Sequence, residues 1–160
     1  MTDSSTNGTS TAGGRGLLKA RTFDHITLVV ADLDASRAFY VDLIGMEEVP
    51  RPDFGFPGLW FQLGTAQIHL NIASEAAGRP GQGDMGAKSP PQGVHFAFSV
   101  DDCDVAVGQF RDLGIAIEAG PRSRPDGARQ AYVRDPDGYL VEVTSAPSSA
   151  DLEEMPSASR

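Results

Sequence analysis

The chain has 160 residues, 22 acids against 13 bases and a formal net charge of −9. That balance argues against a nucleic-acid partner and suits a cytoplasmic protein. No stretch approaches the roughly 20 apolar residues of a membrane span, and the single cysteine, Cys103, excludes an internal disulfide.

Residues 1–20 are rich in Ser, Thr and Gly and read as a disordered tail without a targeting signal. A domain is expected over residues 21–146, as module one (21–73), a linker (74–92) and module two (93–146), before a flexible acidic tail (147–160). Module one begins with a strand over Phe23 to Val30. A helix follows, capped by Asp32 or Asp34, running to about Ile44 and ended by Gly45. Strands are expected over Met46–Val49, Gly58–Leu63 and Gln67–Ile72, the last two joined by a hairpin turn at Gly64-Thr65. The linker carries Pro80, Pro90, Pro91 and several glycines. Module two repeats the order: strand Val94–Val100, a helix over Asp102–Leu113 stopped by Gly114, then strands near Ile115–Ala119, Ala128–Arg134 and Tyr139–Thr144. Asp135-Pro136-Asp137-Gly138 is a strong turn signal. Cys103 opens the second helix, a place that favours a thiolate; it reads instead as a small core residue where the first half has Leu33.

The halves repeat. A shift of 70 residues lays Phe23-Asp24-His25-Ile26-Thr27-Leu28 on Gly93-Val94-His95-Phe96-Ala97-Phe98, and Asp34, Tyr40 and Leu43 on Asp104, Phe110 and Leu113. The three histidines, His25, His69 and His95, each fall within a predicted strand, and Glu142 takes the same kind of place on a fourth. Side chains alternate across a strand. His25 therefore shares a face with Thr27, His69 with Gln67 and Asn71, His95 with Ala97 and Ser99, and Glu142 with Thr144. The opposite faces are apolar. Three imidazoles and one carboxylate on four polar strand faces are the parts of a metal site.

Two βαβββ modules, an α+β architecture, resemble the vicinal oxygen chelate superfamily, which includes the glyoxalase, bleomycin-resistance and extradiol dioxygenase proteins. The resemblance rests on Asp24-His25-Ile26-Thr27-Leu28, on Ala38-Phe39-Tyr40 with Leu43-Ile44-Gly45-Met46, on Val94-His95-Phe96-Ala97-Phe98, and on Asp135 to Val143. It implies tandem modules forming a curved mixed sheet around a cavity. It also implies one divalent metal (Zn, Ni, Fe or Mn) held by His25, His69, His95 and Glu142, with Glu142 also moving protons. The family usually has glutamate where this chain has His69.

The activity so implied is a glyoxalase-I-like lyase or isomerase acting on a small substrate with vicinal oxygens. A set of His25, His95 and Glu142 alone implies an Fe(II) extradiol dioxygenase, and an absent metal a bleomycin-resistance-like binding protein. The resemblance also implies a homodimer, and leaves open whether the site forms within one chain or between two. Tyr132 is a candidate substrate contact. Arg51 and the loop pair Arg122 and Arg124 are candidate anion contacts. Phe54, Phe56 and Trp60 are candidates for an apolar pocket wall.

Overall fold

A computed structural model describes residues 20–81 and 92–147. The tails expected over 1–20 and 147–160 lie almost wholly outside those residues, as does half of the expected linker. Module one comprises β1 (His25–Val30), α1 (Leu33–Arg37) continuing into a π-helical turn (Ala38–Leu43), β2 (Glu47–Val49), β3 (Gly58–Leu63) and β4 (Ala66–Ile72). Module two comprises β5 (Phe96–Ser99), α2 (Cys103–Asp112), β6 (Ala119–Ser123), β7 (Arg129–Arg134) and β8 (Leu140–Ser145). Each module forms a four-stranded mixed sheet, in the orders β1-β4-β3-β2 and β5-β8-β7-β6. The first and last strands of a module pair in parallel, which the intervening helix permits; the hairpins are antiparallel.

The helix starts follow the repeat. Asp32 Oδ1 accepts from the Asp34 and Ala35 amides, and Asp102 Oδ1 from those of Asp104 and Val105. Asp32 rather than Asp34 is thus the first cap. The first helix widens in its second half, where the Ile44 amide bonds five residues back to the Phe39 carbonyl at 3.0 Å. Gly45, at φ 90°, then lets the Met46 amide reach the Tyr40 carbonyl and close the end.

Three strands depart from expectation by two residues or more, the first being β1, which begins at His25 rather than Phe23. β5 begins at Phe96, not Val94, because the Gly93 carbonyl is turned to the His95 ring, which donates to it from Nδ1 at 2.8 Å. The strand expected at 115–119 instead runs over Ala119–Ser123 and contains Pro121. β6 lies at the sheet edge and slips register between Ala119 and Arg122. An edge tolerates the missing donor of proline, which a central strand does not.

Both apolar faces belong to one core. Leu28, Val30, Ile68 and Leu70 of the first sheet join Phe98, Val141 and Val143 of the second, with Phe39, Tyr40, Val107 and Phe110 from the helices. By strand alternation, the faces bearing His25, His69 and Glu142 point away from that core. Cys103 is buried within it, and burial pushes its thiol up, as fits a packing residue.

A polar latch ties module two to module one. The Tyr40 hydroxyl donates to Asp135 Oδ2 at 2.6 Å, while Asp135 Oδ1 accepts from the Asp137 and Tyr139 amides. The turn Asp135-Pro136-Asp137-Gly138 is therefore shaped by its own first carboxylate. It delivers Asp137 Oδ1 to the Ala31 amide at 2.8 Å and the Tyr139 hydroxyl to both the amide and the carbonyl of Val29 at 3.0 Å. No helix among the described residues is long and apolar enough to cross a membrane.

Candidate metal centre

The four candidate ligands fall into two pairs, one per module. On β4, His69 faces Thr27 of β1 and Trp60 of β3 across the ladder, while His25 faces Gln67. The His25 and His69 rings stack at 4.0 Å, 13° from parallel. In module two, Glu142 of β8 lies opposite Tyr132 of β7, and His95 Nε2 stands 3.0 Å from Glu142 Oε2. Among the described residues no three His, Cys, Asp or Glu side chains come together to hold a metal. Within one chain the candidates thus form two separate pairs.

Each imidazole has its tautomer set by a neighbour. A run of amides fixes His69: Gln62 donates to the Gly64 carbonyl (3.1 Å), Gln67 to Gln62 (3.0 Å), and His69 Nε2 to Gln67 Oε1 (2.8 Å). That leaves Nδ1 of His69 with its lone pair bare. Burial first, then the nearby His25, with Asp24 opposing and Arg51 adding, hold the His69 imidazole below its ordinary value. His25 donates from Nδ1 to Asp24 Oδ1 at 2.7 Å, leaving Nε2 free. His95 spends its Nδ1 hydrogen on Gly93, so its Nε2 lone pair meets a Glu142 oxygen. Two lone pairs at 3.0 Å repel unless a proton or a cation lies between them.

Glu142 is only 5% exposed. A buried carboxylate needs compensating donors or a cation. Gln130 supplies one donor. With its amide oxygen toward Arg122 Nε (3.1 Å), its nitrogen reaches the Tyr132 hydroxyl (3.2 Å) and Glu142 Oε1 (3.3 Å). Burial, and then the hydrogen-bonded Glu142, push the Tyr132 phenol up to about 12, so it stays protonated as a donor. His95 packs edge-on against the Tyr132 ring at 5.4 Å. Imidazole and carboxylate donors with fixed tautomers fit a divalent ion of the Zn, Ni, Fe or Mn kind.

The halves match in a further respect. The residue facing the second candidate ligand is aromatic in both, Trp60 opposite His69 and Tyr132 opposite Glu142. Trp60 stacks on His69 at 4.1 Å, and Phe54 and Phe56 continue outward from it, with the Arg51 guanidinium 4.8 Å from both phenyl rings. Arg122 lies on β6, held by Gln130, whereas Arg124 pairs with Asp126 at 2.6 Å at the hairpin end. Gln130, Gln62 and Asp24 were not singled out from sequence. Counting two residues back from Tyr132 along the same strand face would have found Gln130.

A pair of mixed-sheet βαβββ modules defines a class of fold, and likeness to known proteins identifies the family. The Glyoxalase/Bleomycin resistance protein/Dioxygenase superfamily model matches residues 22–143, and the chain belongs to that superfamily. It is 31% identical over 134 residues to a lactoylglutathione lyase of Salmonella typhimurium, covering 76% of this chain and 90% of that protein. A probable lactoylglutathione lyase of Synechocystis is 30% identical over 131 residues, with 79% and 97% covered. Among solved structures, a glyoxalase/dioxygenase from Nostoc punctiforme aligns with TM-score 0.66 and 26% identity, covering 85% of this chain and all of that one.

Proposed function

We propose that the protein is a divalent-metal-dependent lyase or isomerase of the glyoxalase I kind, acting in the cytoplasm on a small substrate with two neighbouring oxygens. His25 and His69 of one copy and His95 and Glu142 of a second would hold the ion. The observation that carries this reading is the contact of His95 Nε2 with the buried Glu142 Oε2 at 3.0 Å. The shared core, which turns the two half-sets away from each other, supports assembly between chains. An ion so held supplies Lewis acidity, which polarises a substrate oxygen and acidifies the carbon beside it.

The chain's own groups do the rest. Glu142 takes the proton from that carbon at one carboxylate oxygen and returns it to the neighbouring carbon. Gln130 and Tyr132 hold the other face of the carboxylate and keep its orientation. Arg122, Arg51 and Trp60 are the proposed contacts for the remainder of the substrate.

The test mixes two damaged chains. His25→Ala with His69→Ala removes one half-set, and His95→Ala with Glu142→Ala removes the other. Each variant alone is expected to bind no Zn, Ni or Mn by calorimetry. Mixed after mild unfolding and refolding, they should recover about one quarter of the wild-type capacity, because half the dimers are mixed and each carries one intact site. Recovery of none would place the site elsewhere, and zero uptake by the wild type would leave a metal-free binding protein.

The sandwiching of His69 between His25 and Trp60 supports a second reading. Nearly parallel rings direct their in-plane lone pairs side by side rather than to a common point. His69 would then belong to the ring stack alone, and His25, His95 and Glu142 would form the 2-His-1-carboxylate set of an Fe(II) dioxygenase. His69→Ala separates the two. A loss of at least about tenfold in metal affinity marks His69 as a ligand. Unchanged affinity, with oxygen uptake on adding Fe(II) and catechol, marks the dioxygenase.

A further inference from the structure

We infer that the polar face of the first sheet binds a planar aromatic molecule carrying an anionic group. The flat ring would lie on Phe54 and Phe56 beside Trp60, and the anion would meet Arg51. This names a substrate class for the site proposed above, and rests on that reading only in taking the ligand as the substrate.

Five rings run in sequence on this face. Phe56 and Phe54 lie 6.0 Å apart, Phe54 and Trp60 6.0 Å, Trp60 and His69 4.1 Å, and His69 and His25 4.0 Å. The inner members are held by strand pairing and by the glutamine run described above. The outer members are open: Phe54 is 52% and Phe56 47% exposed. Aromatic rings left outside a core, side by side and continuous with an ordered row of rings, extend a stack when another flat ring arrives.

Charge decides what kind of ring fits. The chain carries nine more acids than bases, yet Arg51 has no carboxylate partner among the described residues. Its guanidinium instead donates to the carbonyls of Phe56 (3.1 Å) and Pro52 (3.4 Å), and its buried Nε has no partner. The loop's own acid, Asp53, is turned to the Gly55 amide at 2.7 Å. Carbonyls orient a cation without neutralising it. Arg51 is thus a pinned, uncompensated positive charge over the two open phenyl rings, suited to a carboxylate or phenolate on a flat ring.

Trp60 is the chain's sole tryptophan, so its fluorescence reports this wall directly. The experiment titrates the full-length, metal-free protein with 1-hydroxy-2-naphthoate, with the neutral naphthalene-2-methanol and with the non-planar cyclohexanecarboxylate. Saturable quenching by the naphthoate is expected, with binding at least about tenfold weaker for the neutral ring, for Arg51→Gln and for Phe54→Ala. Cyclohexanecarboxylate should not quench. Phe54 is half exposed, so its truncation keeps the test alive if Arg51→Gln misfolds by circular dichroism. Absence of saturation with the naphthoate, or equal affinity for the charged and neutral rings, overturns the proposal. Quenching without metal uptake would sink the metal reading and leave this one standing; metal uptake without quenching does the reverse.

Discussion

The Glu142→Gln variant is expected to lose at least about 100-fold in affinity for Zn, Ni or Mn while keeping its fold. Glutamine has nearly the shape of glutamate, so packing around this buried position is preserved. Its amide nitrogen, however, would donate to His95 Nε2 across the same 3.0 Å gap. One substitution therefore removes the anionic donor and caps the neighbouring imidazole. Calorimetric titration with each metal measures the loss, and thermal unfolding of the metal-free protein checks the fold. The midpoint should be unchanged or raised, since a buried charge has been removed. Affinity within about threefold of wild type would end the proposed role of Glu142.

The Tyr40→Phe variant is expected to lose about 2–3 kcal/mol of stability, the upper range for a hydrogen bond to a charged group. Tyr40 is fully buried, and its hydroxyl donates to Asp135 Oδ2 at 2.6 Å. Burial together with Asp135 pushes the Tyr40 phenol far up, so the hydroxyl keeps its proton. The loss should depend on pH. Burial holds the Asp135 carboxyl above the ordinary range, with the Tyr40 bond acting in the opposite direction. A raised native value means that this group's contribution to stability is full below the unfolded value, ~3.9. It is lost as pH rises through the native one. Deleting the Tyr40 hydroxyl raises the native value further and widens that window. The deficit of the variant should therefore be larger at pH 7 than at pH 4, as urea unfolding at both would measure. An equal deficit at the two values would mean that Asp135 does not titrate with folding.

Much of this was legible from periodicity and spacing. Alternation alone set His25 and His69 on the polar sides of their own strands, and the 70-residue repeat aligned Asp32 with Asp102, which became the two helix caps. The Asp-Pro-Asp-Gly turn was equally plain, because each residue type has its own reason to be there. What alternation cannot say is which strand lies beside which. The stacking of His25, His69 and Trp60 needs β4 between β1 and β3, a non-local pairing with no local signature. β6 runs later than the sequence reading expected and contains Pro121, a residue that local pattern argues against in a strand and that only an edge position admits. The relation of the two half-sets was also beyond a linear reading. It depends on the modules joining through their apolar backs, and no residue pattern announces that choice.

The Tyr139 hydroxyl does something peptides usually do for one another. By receiving the Val29 amide and returning a hydrogen to the Val29 carbonyl, it occupies the outward backbone groups of a border strand, and Asp137 takes the next one at Ala31. β1 is the end strand of its sheet. Bare strands in that position recruit foreign chains and seed aggregates. Here, along the stretch from Val29 to Ala31, a phenol and a carboxylate stand where an intruding strand would have to attach. The same turn that fastens the modules thus also guards the molecule against clumping with its own kind.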